Sequence, residues 1–388
     1  MHKETKTKLI QALLFVVTVF TTTLVGAEYG NFETVKVINN GKEISENFWA
    51  YFTTGLYYSI PFLGVLTVHE FGHFFTAKHH KLPVSLPYYI PLWFPGLFSF
   101  GTMGAVIKLK AFKQTKLQFF DVGIAGPLAG FVAALLVLWY GFTNLPPYQE
   151  ITSIHPEYIK HIDAHGANYI NFALEEAKTK GVMVLSFGDN ILFWLFKNYV
   201  APNPENVPAA CEIMHYPFLM AGYLALFFTA LNLLPIGQLD GGHILYGLFG
   251  KKKSDLISQW VFTAFVTWAG IGFISPYVVS EELVWKVPLY GFFMYFLFTG
   301  VFESKTTALT YGLGVFAFQF SISALLPDFE GYNGWLVFAL IISKVLGIKH
   351  PQAYIEEPLD LNRKILGWIA LIIFVLCFSP RPFMAEIY

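Results

Sequence analysis

Tyr57-Tyr58-Ser59-Ile60-Pro61-Phe62-Leu63-Gly64-Val65-Leu66-Thr67-Val68 runs without a charge into His69-Glu70-Phe71-Gly72-His73. On a helix, His69 and His73 fall one turn apart on one face, the spacing of two imidazole ligands for a single zinc ion. Glu70 stands beside them, positioned to take a proton from a water on that ion. The residues before the motif belong in hydrocarbon, where ionisable side chains are costly and mark functional sites. The stretch therefore predicts a membrane-spanning helix that carries a metal centre.

Composition agrees. The chain has 388 residues, 55% hydrophobic and 13% charged, with a mean hydropathy of +0.52. Soluble domains carry about 25% charged residues, so this is a polytopic membrane protein. A net charge of −1 offers nucleic acid no basic surface. Cys211 and Cys377 lie far apart and read as bystander thiols, with neither a disulfide framework nor a thiolate metal site. Lys3, Lys6 and Lys8 precede an apolar run from Leu9 to Val25. That run is long for a signal peptide and reads as a retained first span.

Apolar stretches of roughly 20 residues mark spans. They occur near 9–26, 49–77, 119–143, 216–236, 255–276, 284–302, 306–325, 334–347 and 365–383. Leu82 to Pro91 holds three prolines and resists helix formation. Gly101 to Lys110 is rich in β-branched residues and reads as a strand. The expected fold is all-α and polytopic, with about nine transmembrane helices and a small membrane-associated β-sheet on the cytoplasmic side.

Lysine and arginine placement sets the orientation. With the N-terminus in the cytoplasm, the inner loops hold Lys78, Lys81, Lys108, Lys110, Lys113, Lys116, Lys251, Lys252, Lys253, Lys305, Lys349, Arg363 and Lys364. The short outer loops hold Lys36, Lys42 and Lys286, with Arg381 near the C-terminus. The expected organisation is an N-terminal helix and outer loop (1–48), a first catalytic segment with the motif helix and β segment (49–143), an extracytoplasmic insertion (144–215), a second catalytic segment (216–250) and C-terminal helices (251–388). Within the insertion, Asn168–Lys180 reads as a polar helix. Ile191–Phe196 reads either as a helix along the membrane surface or as a buried helix of a small outer domain.

A catalytic zinc normally takes three protein ligands and keeps one position open. The candidate third ligand is Asp240, in Asn232-Leu233-Leu234-Pro235-Ile236-Gly237-Gln238-Leu239-Asp240-Gly241-Gly242-His243. Apart from Glu70 it is the only acid inside an apolar block; Asp121 and Asp255 sit at span starts, where Asp121 reads as a helix cap. Pro235 and Gly237 break the helix, and irregular backbone at membrane depth is tolerated where it lines a cavity. With the N-terminus inside, the second and fourth spans run in the same direction, so both motifs fall near the cytoplasmic rim. His69 precedes Lys78 by nine residues, which puts it about 14 Å below that rim.

These residues together resemble the site-2 protease family of intramembrane zinc metalloproteases. The resemblance is strongest to the bacterial and plastid branch that contains the ethylene-dependent gravitropism-deficient and yellow-green proteins. It rests on His69 to His73, Val84-Ser85-Leu86-Pro87-Tyr88, Gly101 to Ala105, Asp121 to Gly130, and Asn232 to His243. It covers roughly residues 50–250 and is weaker beyond, through Gly367-Trp368 and Pro380. It implies an aspartate as third ligand, matching Asp240, and a role for Asn232 in holding substrate or stabilising the oxyanion. Its substrates would be membrane-anchored proteins within the lipid bilayer, with Zn²⁺ as the cofactor.

Other readings are weaker. A membrane metal-ion transporter wants polar residues along a path, and the fifth to ninth spans offer almost none. A catalytically silent, partner-binding relative would lack Glu70 or Asp240, and both are here. His243 reads equally as a group orienting Asp240 and as a histidine satisfied near the helix start. His79 and His80 read as cytoplasmic surface, and His155, His161 and His165 as a solvated segment rather than an outer metal site. Gly126-Pro127-Leu128-Ala129-Gly130 has the small-x-x-x-small pattern that lets helices pack closely, here against the zinc helices. With no transit peptide visible, the expected location is a bacterial cytoplasmic membrane. The sequence names neither substrate nor oligomeric state.

Overall fold

Helices occupy every apolar stretch read above. The structure, a computed structural model, describes residues 3–30, 44–95, 98–109, 114–277 and 280–387. Lys36, Lys42, Lys110 and Lys113 fall outside these. The helices are α1 (Lys3–Gly30), α2 (Ile44–Thr54), α3 (Leu56–His79), α4 (Lys116–Thr143), α5 (Ile159–His165), α6 (Tyr169–Lys180) and α7 (Ile191–Tyr199). Then come α8 (Pro217–Leu233), α9 (Asp240–Gly270), α10 (Ser280–Phe298), α11 (Lys305–Leu325), α12 (Gly334–Ile341) and α13 (Leu361–Cys377). Four short strands complete the set: β1 (Tyr88–Pro91), β2 (Thr102–Val106), β3 (Met183–Phe187) and β4 (Phe383–Ile387). Among the described residues, Glu4–Gly30, Lys116–Thr143 and Lys305–Leu325 are long and apolar enough to cross a membrane. Pro217–Leu233 and Gly334–Leu346 are shorter apolar helices.

The chain divides into two units. The first comprises Met1–Phe112, Ala125–Ala230 and Val375–Tyr388. In it the stretch expected as one span over 49–77 is two helices, α2 and α3, parted at Gly55. A Cβ on Gly55 would lie 1.8 Å from the Thr23 carbonyl of α1, so only glycine allows this approach. The small sheet expected here is an antiparallel hairpin of β1 and β2, with Tyr88 opposite Val106 and Pro91 opposite Thr102. α1 fastens it: Gln11 Nε2 donates to the Leu86 carbonyl at 2.6 Å, and Thr21 Oγ1 to that of Gly101 at 2.7 Å. Gly101 adopts φ +79°, and a Cβ there would strike the α1 backbone at Thr22, 2.5 Å away.

One sheet in this unit was not foreseen. β3 pairs antiparallel with β4, Met183 opposite Ile387 and Phe187 opposite Phe383. Residues at 383 and beyond are therefore strand, and α13 ends at Cys377. The Tyr223 hydroxyl donates to the Gly188 and Pro382 carbonyls, each at 2.7 Å, tying α8 to the end of the sheet. The polar helix expected over 168–180 is α6, and α7 covers 191–196. Asn190 caps α7 by accepting from Phe193 N at 2.9 Å. Phe193 is fully buried, its ring 5.2 Å from that of Phe142 on α4 and 5.3 Å from Tyr223.

The second unit comprises Lys113–Ile124 and Leu231–Phe374. Asp121 does not cap α4, which starts at Lys116. A reciprocal pair caps it instead: Thr115 N donates to Gln118 Oε1 at 3.0 Å, and Gln118 N to Thr115 Oγ1 at 3.2 Å, a Thr-x-x-Gln capping box. Asp121, one turn further in, accepts both arms of Arg363, Nε at 2.7 Å and Nη2 at 2.8 Å. α9 begins earlier than the expected span and is broken at Gly250, whose φ of 73° no helix residue adopts. Buried Gln319 of α11 joins three helices, taking a hydrogen bond from Tyr290 of α10 at 3.0 Å and donating to the Val266 carbonyl of α9 at 2.9 Å. Interhelical amide bonds of this kind hold apolar helices together.

The two-armed Asp121–Arg363 contact ties the start of α4 to α13. In a double-mutant cycle of Asp121→Asn and Arg363→Gln, thermal stability in detergent should show a coupling of about 1 kcal/mol. Additive single effects would mean that the pair does not hold these helices together.

Candidate metal centre

α3 carries the motif because its residues are apolar on all sides up to Val68, and its end is marked by Lys78 and His79. His69, Glu70 and His73 are all buried, at 6%, 5% and 6% exposure. The two imidazoles face each other, Nε2 to Nε2 at 3.0 Å. Glu70 Oε1 lies 4.0 Å from His69 Nε2. A pair of ring nitrogens this close suits one cation held between them, and the donors fit zinc. Thr67, two residues before His69, shares a hydrogen bond with the Tyr89 hydroxyl of β1 at 2.8 Å, so the hairpin braces the motif helix.

The histidines lie against glycines of α4. A Cβ on Gly126 would stand 2.1 Å from His73 Nε2, and one on Gly130 2.9 Å from His69 Cβ. In return, a Cβ on Gly72 would meet the Ala125 carbonyl at 2.6 Å. The small-residue pattern of 126–130 thus packs on the motif helix, as its spacing suggests.

Asp240, Asn232 and His243 belong to the second unit. Asn232 lies in the last turn of α8 and is half-buried; Asp240 is the first residue of α9 and is also half-buried. Between them the chain turns back on itself. Ile236 N donates to the Leu234 carbonyl at 2.7 Å, and His243 N to that of Leu239 at 3.0 Å. Gly237 sits at φ 55°, where a Cβ would meet the Gly347 carbonyl at 1.9 Å. Cβ atoms on Gly241 and Gly242 would run into the Leu233 and Gly237 carbonyls. An acid in the first turn of α9 is favoured by the helix dipole.

His243 Nδ1 bonds His350 Nε2 at 2.6 Å, and its ring stacks on Phe119 at 5.4 Å. His350, which the sequence did not single out, is buried. Burial pushes its imidazole down to about 3, and the adjacent His243 adds to the effect. Its other nitrogen, Nδ1, lies 2.5 Å from the Pro351 carbonyl. Tyr246 stacks on the same ring at 4.1 Å and bonds the Glu356 carboxylate. His79 is exposed and His80 half-buried at the end of α3. His161 meets Glu176 at 2.7 Å, and His165 stacks on Phe172 at 3.5 Å.

Residues 57–274 match the family model described as peptidase family M50, more than half of the chain. The chain belongs to that family. Among curated proteins it is similar to "Probable zinc metalloprotease EGY1, chloroplastic" of Oryza sativa subsp. japonica, 32% identical over 191 residues, which are 48% of this chain and 28% of that protein. It is 24% identical over 205 residues to "Probable zinc metalloprotease EGY2, chloroplastic" of Oryza sativa subsp. indica (53% and 31% of the two chains). With "Probable zinc metallopeptidase EGY3, chloroplastic" of Arabidopsis thaliana it shares 25% over 228 residues (58% and 34%). These are the branch that the motifs resemble. The matched part spans about a third of each relative's length. No solved structure matches.

Gly126→Ala should drive a methyl into the His73 ring and weaken metal binding by ~10–100-fold, the range seen when groups orienting a ligand are disturbed. Gly64→Ala, on the motif helix α3 with nothing near its Cβ position, should leave binding unchanged. Metal content of the two purified variants checks this; equal content would show that α4 does not position His73.

Proposed function

We propose that this member of peptidase family M50 is an intramembrane zinc endopeptidase that hydrolyses peptide bonds of membrane-anchored proteins. The observation that carries the reading is the buried His69–His73 pair, with its Nε2 atoms 3.0 Å apart and Glu70 beside it, inside the segment that matches the family. His69 and His73 would hold the metal through imidazole nitrogens, and Asp240 would supply a carboxylate oxygen as the third ligand. The support for Asp240 is chemical. It is an acid at the first residue of a helix, beside a loop that Pro235 and Gly237 keep non-helical, within a motif that resembles the family's ligand segment.

Zinc, when bound, supplies Lewis-acid activation of water and of the scissile carbonyl. The remaining work falls to the chain. A Glu70 carboxylate oxygen takes the proton of the attacking water and returns it to the leaving amine. The Asn232 side-chain amide donates to the oxygen on which negative charge develops, an interaction worth roughly 3 kcal/mol in other hydrolases. His243 orients Asp240 from within its hydrogen-bonded contact with His350.

A transmembrane helix hides its peptide bonds, so a substrate must unwind before it is cut. The two-stranded β1–β2 hairpin offers an edge where an extended segment gains main-chain hydrogen bonds in place of those it loses. Met103 and Val106 of β2 expose apolar side chains there. In this reading the chain crosses the bilayer about nine times, with the N-terminus and the lysine-rich loops on the side from which water reaches the site. In a bacterial cell that bilayer is the cytoplasmic membrane.

Glu70→Gln should lower cleavage of a membrane-anchored substrate by ~10²–10⁴-fold, the share that a general base supplies, with metal retained. His69→Ala, His73→Ala and Asp240→Ala should each lose both metal and activity. Reconstituted protein with a reporter substrate, assayed beside metal analysis, decides the matter. The proposal fails if Glu70→Gln cleaves at the wild-type rate or if none of the three ligand variants changes the metal content.

A further inference from the structure

A second set of histidines and a carboxylate meets in the outer segment of the first unit. His155 precedes a short 3₁₀ turn at Pro156–Tyr158, and Glu212 and His215 lie just before α8. His155 Nε2 is 3.2 Å from His215 Nε2 and 3.6 Å from Glu212 Oε2. His215 Nε2 is 3.7 Å from the same oxygen. A tetrahedral ion with bonds of 2.0–2.2 Å separates its ligand atoms by about 3.3–3.6 Å. The three atoms therefore already form the face of a coordination polyhedron.

The surroundings explain why a proton does not suffice here. His155 Nδ1 is 3.0 Å from Glu157 Oε1, and His215 Nδ1 is 2.5 Å from the Tyr29 carbonyl. Both acceptors require a proton on Nδ1, which leaves each neutral ring with a lone pair on Nε2, and those two lone pairs face each other. This is also the arrangement that orients metal-bound imidazoles, with the outer nitrogen donating to a carboxylate or a backbone carbonyl. Glu212 is 2% exposed. Its Oε1 accepts from the Tyr158 hydroxyl at 3.0 Å, while its Oε2 has no hydrogen-bond partner among the described residues. A buried carboxylate oxygen left in this way is expensive, and it points at the two nitrogens.

We propose that His155, Glu212 and His215 bind a divalent first-row transition metal, zinc in the first instance, at a site separate from that of His69 and His73. Two imidazoles and one carboxylate suit zinc and its neighbours and disfavour calcium or magnesium. The ion joins the outer segment at His155 to the foot of α8 at Glu212 and His215. Through His215 it reaches the end of α1 at Tyr29. Its role is that of a staple between His155 and the foot of α8, and metal binding at such a site adds directly to folding stability.

The experiment measures metal per chain in purified full-length protein, with Co²⁺ absorption as the spectroscopic probe. Wild type should hold two ions, His155→Ala one and His69→Ala one. A His69→Ala/His73→Ala protein should still titrate with one Co²⁺ and show the intense visible bands of a tetrahedral site. Adding Glu212→Gln should abolish those bands, and Co²⁺ should raise the melting temperature only while Glu212 is intact. His155→Gln, closer in size, guards against misfolding and should behave as His155→Ala. The proposal is overturned if the His69→Ala/His73→Ala protein binds no Co²⁺, or binds it equally with Glu212→Gln. A wild type whose single ion survives His69→Ala would instead sink the peptidase site and leave this one standing.

Discussion

The close approach of α3 and α4 is the constraint on which the first unit is built. Two imidazoles and a carboxylate are buried on α3, and the helix facing them gives up side chains to make room. Gly126 and Gly130 stand where any larger residue would overlap His73 and His69, and Gly72 does the same from the other side. In an apolar medium, helices gain little from hydrophobic burial against each other; small residues let their backbones come close enough for dispersion and polar contacts. The glycines thus serve packing and the site at once. The ring nitrogens are held 3.0 Å from each other.

The second unit solves a different problem, that of presenting an acid at a helix start within apolar sequence. Pro235 cannot donate a helical hydrogen bond, and Gly237 takes a left-handed conformation. α8 therefore ends and α9 restarts six residues after Leu234 with Asp240 at its head. The loop is locked from outside: Gly237 abuts the Gly347 backbone, and the Ser258 hydroxyl bridges Gly237 N and the Pro235 carbonyl at 3.4 and 3.3 Å. His243, one turn into α9, is fixed by His350 and Phe119, and Tyr246 in turn stacks on His350. Polar groups buried with their partners define one arrangement where apolar packing alone would permit several.

Local patterns were legible in the sequence and long-range pairings were not. The apolar runs marked the long helices and the polar pattern of 168–180 marked α6, while α5 gave no signal; the prolines of 83–91 with the β-branched residues of 101–110 marked the β1–β2 sheet, because these signals are contained within a few turns of chain. The His69–His73 spacing and the glycines at 126 and 130 were readable for the same reason. The β3–β4 sheet was missed since its strands are about two hundred residues apart and neither alternates clearly. Asp121 was misread for want of its partner: Arg363 is 242 positions away, whereas the true cap, Thr115 with Gln118, was visible three residues apart. His350 had no motif at all and acquires its place from the fold alone.

The same distance blindness hid the outer histidine cluster. His155, His161 and His165 look equivalent along the chain, yet the latter two spend their rings on Glu176 and Phe172, while His155 turns to residues nearly sixty positions later. Its geometry repeats that of the motif helix, with ring nitrogens 3.2 Å apart at His155 and His215 and 3.0 Å apart at His69 and His73. Facing nitrogens at such a distance hold a proton or a cation between them, and where both Nδ1 atoms already donate, as at His155 and His215, that proton adds a positive charge. At the outer cluster a shared proton would make one ring an imidazolium, and its partner Glu212 would meet that charge at 3.6 Å or more, too long for a hydrogen bond. A metal ion satisfies all three atoms at the distances they already have.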